Sequence, residues 1–438
     1  MKSILVALSD TFPAMPGPRH FCSLLLLGLV ACAATGDGER PFQTRTLRTS
    51  DGETAHFVLF VPPGRDPAVK LPVILFLNGW GENGHDGLRQ ISNNFGGDLW
   101  RMRATFPFLA VCPQCAYNAE WTPGSKNEEL SLAVLDDAIR EFNGDPDRVV
   151  ITGASTGGTG ALNIALANSD RFAAAVPIAA AIHAAPQDLA KTRMPIWSFY
   201  NTGDSSGLVR AARSRRRQHF QAGSSPHVTE FNQAGHNAWD SAYASPALYR
   251  WLLEQHSGKR DSFLPFRFLA PDEVLSRWRS VGPSEWTAEL DDIICHESAG
   301  SSELISPPFA GDWALHLDVQ LAAGQPAAIA FIDSDGGRTE LMMPLSADGF
   351  VRLTSSGSRD VLGDSAAQRA LRPGWNDIRL ERLKDRFSIT CNGWQLLESR
   401  GRLRPGEIQV ALVNHSVSSE RRFRFLRVAE QSAGENAP

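Results

Sequence analysis

Val149-Val150-Ile151-Thr152-Gly153-Ala154-Ser155-Thr156-Gly157-Gly158 is a β-branched run that breaks into Gly-x-Ser-x-Gly, and the small and apolar residues from Gly160 to Ala167 follow it at helical spacing. A strand that turns sharply into a helix puts the residue at the tip above the sheet, and the flanking glycines remove the side chains that would collide there. The pentapeptide alone says little in a chain with 37 glycines among 438 residues. Its position between a buried-strand pattern and a helical pattern gives it meaning.

The neighbouring segments repeat the alternation. Short apolar runs at Phe57–Val61, Val73–Leu77, Phe108–Val111, Val149–Thr152, Ala174–Ile178, Ile196–Tyr200 and Val228–Phe231 read as strands. In Glu128–Phe142 the residues Leu132, Leu135, Ile139 and Phe142 form one helical stripe, with Glu128 and Glu129 where the first-turn dipole favours acids. Alternating strands and helices predict a doubly wound, mostly parallel sheet, on which functional groups belong on loops at the carboxyl ends of the strands.

Three residues meet that rule in order. Ser155 follows Val149–Thr152; Asp204 lies in Asn201-Thr202-Gly203-Asp204, after Ile196–Tyr200; His236 lies in Ala234-Gly235-His236-Asn237, after Val228–Phe231. Ser, Asp and His in this sequence are the components of nucleophilic acyl transfer: a hydroxyl, a base to take its proton, and an acid to orient the base. The backbone N–H of Thr156 is a donor for the developing oxyanion, and a second is expected from Asn78-Gly79-Trp80-Gly81, at Trp80 with Gly79 as the alternative. Gln114, Trp121 and Trp239 are the candidates for substrate contact near the mouth. His, Cys and carboxylate residues show no metal-ligand spacing, so neither a metal nor a cofactor is assigned.

Composition limits the partners. A length of 438 residues predicts two domains, and a formal net charge of −5 with 21% charged residues gives no long-range attraction to nucleic acid. The basic run from Arg210 to Arg217 alternates with alanines and reads as the solvated face of an amphipathic helix. At the amino terminus the apolar run Phe21–Val30, after Pro18-Arg19-His20, has the length of a signal-peptide core. The long lead before it points to Met15 as the start. Residues 1–32 are therefore assigned as an export signal, and the protein as exported to the cell envelope or secreted. Leu29-Val30-Ala31-Cys32 resembles a bacterial lipobox, which makes Cys32 the lipidated first mature residue and a lipid anchor the sole membrane attachment. Cleavage after Ala33, releasing a soluble protein, is the competing reading. Of the remaining cysteines, Cys112 and Cys115 have C-x-x-C spacing but do not open a helix, which favours a structural bridge or two quiet thiols over redox chemistry; Cys295 and Cys391 complete the set.

The stretches Leu71-Pro72-Val73-Ile74-Leu75-Phe76-Leu77-Asn78-Gly79-Trp80-Gly81-Glu82, Cys112-Pro113-Gln114-Cys115, Asp145-Pro146-Asp147-Arg148-Val149, Gly153-Ala154-Ser155-Thr156-Gly157-Gly158, Asp170-Arg171-Phe172-Ala173-Ala174-Ala175-Val176-Pro177-Ile178 and Ala234-Gly235-His236-Asn237-Ala238-Trp239 resemble the esterase and "predicted peptidase" branch of the α/β-hydrolases, related to dienelactone hydrolase and polyhydroxybutyrate depolymerase-like enzymes. The resemblance covers residues 42–256 and implies a triad at Ser155, Asp204 and His236. The chain departs from that pattern at Asn78, where the family usually has His, and at Thr156, where it usually has Met or Gln. The catalytic domain is assigned to residues 40–256.

Beyond an expected linker at 257–263 the pattern changes to strands. Trp313, Leu315, Leu317, Val319 and Leu321 alternate with Ala314, His316, Asp318 and Gln320, which reads as a strand with one wet face. Phe387, Ile389 and Cys391 alternate similarly and meet Asn392-Gly393, the strongest two-residue hairpin signal, before Trp394. The consecutive strands predict an all-β jelly-roll sandwich over 264–430, before a flexible tail at 431–438. Val274-Leu275-Ser276-Arg277-Trp278, Gly311-Asp312-Trp313, Gly374-Trp375-Asn376-Asp377-Ile378 and Cys391-Asn392-Gly393-Trp394 resemble a concanavalin-like family related to 3-keto-disaccharide hydrolases. That resemblance implies glycan binding; Trp375 and Trp394 are the stacking candidates, with core packing the alternative.

Three functions follow as expectations. The first is a serine carboxylesterase acting on small-molecule or polysaccharide esters. The second is a prolyl oligopeptidase-type peptidase using the same triad. The third is a catalytically silent carbohydrate-binding surface protein.

Overall fold

The computed structural model describes residues 41–430 apart from 49–51, 182–191, 193, 222, 224–225, 258–265, 298–299, 323–325, 344–350, 356–357, 362–369, 385, 401–406 and 416–418. The signal segment with Met15 and Cys32, most of the expected linker, and the tail lie outside the described residues.

The amino-terminal half is an α/β-hydrolase fold. Its strands are β1 (Phe42–Arg48), β2 (Thr54–Phe60), β3 (Leu71–Leu77), β4 (Leu109–Pro113), β5 (Gly144–Ala154), β6 (Ala174–Ile178), β7 (Trp197–Gly203) and β8 (His227–Ala234). They form one sheet in the order β1-β2-β4-β3-β5-β6-β7-β8, antiparallel at β1/β2 and β2/β4 and parallel from β4 onward. Every residue of β3, β4 and β6 is buried, as expected of strands covered on both faces. Helices α1 (Phe95–Met102), α2 (Lys126–Phe142), α3 (Thr156–Ala167) and α4 (Ser206–Gln221) accompany them. Ser125 caps α2 by accepting from the Glu128 N–H at 3.3 Å, and Asn143 ends it in the left-handed region at φ 54°. The edge strand β1 was not expected, because Phe42-Gln43-Thr44-Arg45-Thr46-Leu47-Arg48 has little apolar pattern; pairing with β2 along its whole length holds it.

The carboxyl-terminal half is a β-sandwich. A seven-stranded and an eight-stranded sheet, antiparallel throughout their described pairings, face each other. Trp313, Leu315, Leu317, Val319 and Leu321 all point into the core between them. The hairpin Arg386–Cys391/Trp394–Arg400 turns at Asn392 and Gly393, both at positive φ (48° and 77°), the backbone a type I′ turn requires.

The polar face of Trp313–Leu321 is wet only at Gln320. His316 and Asp318 are each only 2% exposed, because α4 and β8 of the hydrolase half pack onto this face. The Arg210–Arg217 run is solvated in part, with Arg210 exposed and Arg213, Arg215 and Arg217 half-buried, but its centre is not. Arg216 is buried and grips Asp318 with two parallel bonds of 2.6 and 2.7 Å. Arg424 reaches back to Glu230 on β8 at 2.6 Å and to Asp318 at 3.2 Å, and Arg213 holds the other Glu230 oxygen at 3.0 Å. His227 Nδ1 lies 3.1 Å from Asp377. The amphipathic reading of both segments is correct, but His316 and Asp318 on one and Arg216 on the other meet complementary polar groups instead of water. The described residues of both halves group as one compact unit, and a single apolar cluster runs from Phe76 and Trp197 to Leu380 and Trp394. At the junction Gly393 is so close to Trp197 that a Cβ there would lie 1.9 Å from the indole.

Two outcomes are expected of this interface. Removing one partner of a buried pair leaves an uncompensated charge, so Arg216→Ala should lower the unfolding free energy in urea by about 3–5 kcal/mol. Burial holds His227 near pKa 4, His316 near 3 and His219 near 4, below the ordinary value. The unfolded chain therefore takes up protons first as the pH falls below about 6.5. Stability should be at its full value above that pH and decline as the pH drops toward 4, read as a falling urea midpoint. His316→Gln should flatten the decline.

Candidate active site

Ser155 sits between β5 and α3 at φ 56°, ψ −120°, a conformation few non-glycine residues adopt. The neighbouring glycines make this turn possible. A Cβ on Gly153 would lie 2.4 Å from the Gly157 carbonyl oxygen and 2.6 Å from that of Leu77; one on Gly157 would lie 2.1 Å from the Leu77 oxygen; one on Gly158 would lie 2.6 Å from the Ile178 oxygen. Three strand ends thus converge beneath the serine, and its own N–H donates to the Ile178 carbonyl at 2.9 Å.

The loops after β7 and β8 bring the other two residues to it. His236 Nε2 is 2.9 Å from Ser155 Oγ, and His236 Nδ1 is 2.7 Å from Asp204 Oδ2. The Asp204 side chain is 5% exposed and that of His236 is 41% exposed, so the acid is enclosed while the ring edges the solvent. Trp239 stands against the imidazole edge-on, with centroids 5.4 Å apart. Asn201, fully buried in β7, was not singled out from sequence. Its Nδ2 donates to the carbonyls of Gly235 and Asn237, both at 3.0 Å, and so fixes the two residues that bracket His236. The only sequence signal for it was its place directly after the Ile196–Tyr200 strand, three residues before Asp204.

The loop after β3 lies on the other side of the serine. A Cβ on Gly79 would be 3.7 Å from Ser155 Cβ. Asn78 shapes this loop from within: its Nδ2 donates to the Gly79 carbonyl at 2.8 Å and to Asn83 Oδ1 at 2.9 Å, and its Oδ1 accepts from the Cys115 N–H at 3.0 Å. The Gly79 backbone also bonds the Glu82 carboxyl, which accepts from Asn94 Nδ2 at 3.1 Å; burial is the largest influence on Glu82 and raises its pKa. Trp80 projects from the loop with half of its surface exposed. Thr156 opens α3, where first-turn N–H groups have no intrahelical acceptor.

Two expected substrate contacts are structural instead. Gln114 spends its amide on the loop: Nε2 donates to the Glu82 carbonyl and Asp86 (3.2 and 3.0 Å), and Oε1 accepts from the Gly87 N–H at 2.7 Å. Trp121 is 4% exposed, donates from Nε1 to the Asn78 carbonyl at 2.9 Å and packs against Gly160, so it is a pillar under the loop and not part of the mouth. Cys112 and Cys115 are both buried free thiols, with burial pushing Cys115 up to about 12 and Cys112 higher still, so they are quiet.

An α/β-hydrolase sheet that presents a hydroxyl, an imidazole and a carboxylate in this relay defines the site of a serine hydrolase. The prolyl oligopeptidase family matches residues 126–215, a span that includes Ser155 and Asp204. No curated protein matches the chain. Among solved structures, the chain is similar to a thermostable esterase (26% identity, 49% of this chain and 63% of that one, TM-score 0.45). It is similar also to a ferulic acid esterase (20% identity, 48% and 96% of the two chains, TM-score 0.37) and to dipeptidyl peptidase 4 of Porphyromonas gingivalis (15% identity, 49% and 35%, TM-score 0.40).

The Asn201 clamp yields a test. Asn201→Ala frees the loop that carries His236, and small misplacements of a base are costly. The variant should lose about 10–100-fold in kcat on a hydrolysed substrate with little change in KM, measured by steady-state kinetics.

Proposed function

We propose that this protein is a serine carboxylesterase that cleaves acyl groups from ester substrates, including acylated polysaccharide, through a covalent acyl-enzyme. The observation that carries this reading is the unbroken relay from Asp204 through His236 to Ser155. His236 Nδ1–H donates to the Asp204 carboxylate, which fixes the tautomer and leaves Nε2 to accept the serine proton as Oγ attacks the ester carbonyl. The same proton then goes to the departing alcohol, and water repeats the sequence to release the acid.

The tetrahedral oxyanion is stabilised by the N–H groups of Thr156 and Trp80. Gly79 is the lesser candidate because its backbone is bonded to Glu82. Asn78 stands in for the usual histidine by holding the loop with its amide, which supports activity despite the departure. The exposed Trp80 on the loop after β3 and Trp239 against the His236 ring offer apolar surface suited to an acyl or aryl group.

The peptidase reading is favoured by one finding, the match to the prolyl oligopeptidase family over 126–215. Export, with lipidation at Cys32, and contact with envelope glycans complete the proposal.

Hydrolysis of short-chain p-nitrophenyl esters is the direct test. Ser155→Ala should reduce kcat by roughly 10⁴-fold or more. Activity on dipeptide p-nitroanilides but not esters would favour the peptidase, and inactivity on both with a folded protein would favour a silent binding role.

A further inference from the structure

After β3 the chain makes a single 3₁₀ turn, Trp80–Glu82, with Gly79 at its N-cap. Glu82 is therefore the third residue of the turn, the position from which a glutamate reaches back to the N-cap N–H in a capping box. Its carboxylate does so: it accepts from the Gly79 N–H, and a Cβ on Gly79 would lie 3.0 Å from its Oε2. The other oxygen accepts from Asn94 Nδ2 at 3.1 Å. Asn94 belongs to a different element, the N-cap of α1, where it is buried and held at φ 54°, ψ −130°. These angles nearly repeat those of Ser155, and so sparsely populated a conformation persists only where the surroundings impose it. The chain closes tightly behind it: a Cβ on Gly96 would lie 2.0 Å from the Ile91 carbonyl oxygen.

The peptide bond between Gly79 and Trp80 shows what this does. Its carbonyl accepts from Asn78 Nδ2 at 2.8 Å and from the Glu82 N–H at 3.1 Å. A trans peptide points its N–H away from its carbonyl, so the Trp80 N–H faces away from both of these donors. As the first residue of the turn, Trp80 also has no acceptor within it. Of two successive N–H groups, that of Gly79 is taken by Glu82 and that of Trp80 is left to meet a ligand. We propose that Glu82, braced by Asn94, is the positioning residue of the oxyanion loop: by taking the Gly79 N–H it holds the turn so that the Trp80 N–H meets the oxyanion formed when Ser155 attacks.

The chemistry of the site calls for a carboxylate there. The Gly79 N–H, the Asn94 amide and the N–H of Glu82 itself are all donors, so both side-chain oxygens have to accept. An amide of the same shape would turn one of its ends into a donor facing a donor. Arg89, on the neighbouring turn Arg89–Ile91, adds a favourable charge. The inference deepens the proposed function and rests on Ser155 being the nucleophile, but not on whether the substrate is an ester or a peptide.

The test is the rate at which a fluorophosphonate labels the full chain at neutral pH, because phosphonylation of a serine also builds negative charge on an oxygen in the oxyanion hole. It is read together with kcat and KM on whichever p-nitrophenyl ester or dipeptide p-nitroanilide is turned over. Ser155→Ala should abolish labelling. Glu82→Gln should slow labelling and lower kcat by about 10–100-fold with little change in KM, since the lost interaction acts in the transition state. Asn94→Gly, which leaves the positive φ open, should cost less, about 3–10-fold, because the carboxylate keeps the Gly79 N–H. Labelling and kcat of Glu82→Gln within about twofold of the unaltered protein, or a loss confined to KM, would overturn the inference and leave the hydrolase reading intact. Should the urea midpoint show that Glu82→Gln does not fold, Asn94→Gly decides, and labelling at the unaltered rate overturns the inference. An unaltered protein that takes no label and turns over neither substrate would overturn the hydrolase reading and this inference with it.

Discussion

Two carboxylates, Asp318 and Glu230, sit out of water among Arg216, Arg424 and Arg213, and the arrangement of the molecule depends on their being satisfied. An isolated carboxylate at such depth would cost several kcal/mol, and the surrounding guanidinium groups offset that only when helix and both sheets are in register. Tyr200 adds its hydroxyl to Glu230, and Arg216 lies over the Phe425 ring at 4.6 Å. A polar interface of this kind contributes less to net stability than an apolar one of equal area, but it admits few alternative alignments.

The same strands that carry this interface carry the candidate active site at their other ends. β7 contributes Tyr200 to the charge cluster and then runs through Asn201 to the Asp204 loop; β8 contributes Glu230 and then runs to the His236 loop. Only Ser155 and the Asn78–Trp80 loop are supported wholly from within the hydrolase half. The geometry of acid and base thus rests on strands whose outer flank is held by the sandwich.

How much of this was legible in the sequence follows from how local each determinant is. The seven strands from β2 to β8 and the triad could be read because each rests on a short signal: an apolar run, a turn residue, a reactive side chain at a strand end. The turn at Asn392-Gly393 was legible for the same reason. The interface was not. Periodicity in Trp313–Leu321 and in Arg210–Arg217 separates polar from apolar faces, but whether a polar face meets water depends on charges about a hundred residues away in the chain, as Asp318 is from Arg216. Gln114 and Trp121 illustrate the converse: proximity to the site in sequence was correct, but their polar atoms were already committed to backbone groups.

Gly393 gives the junction a different kind of meaning. Its bare α-carbon against the Trp197 indole leaves no room for even one methyl group, and the indole belongs to β7. The sandwich is therefore not an interchangeable accessory in the manner of a tethered module. Replacing it with another sandwich would require reproducing a glycine at one hairpin tip as well as the opposing charges around it, so the two halves are expected to be inherited, and to be engineered, as a single cassette.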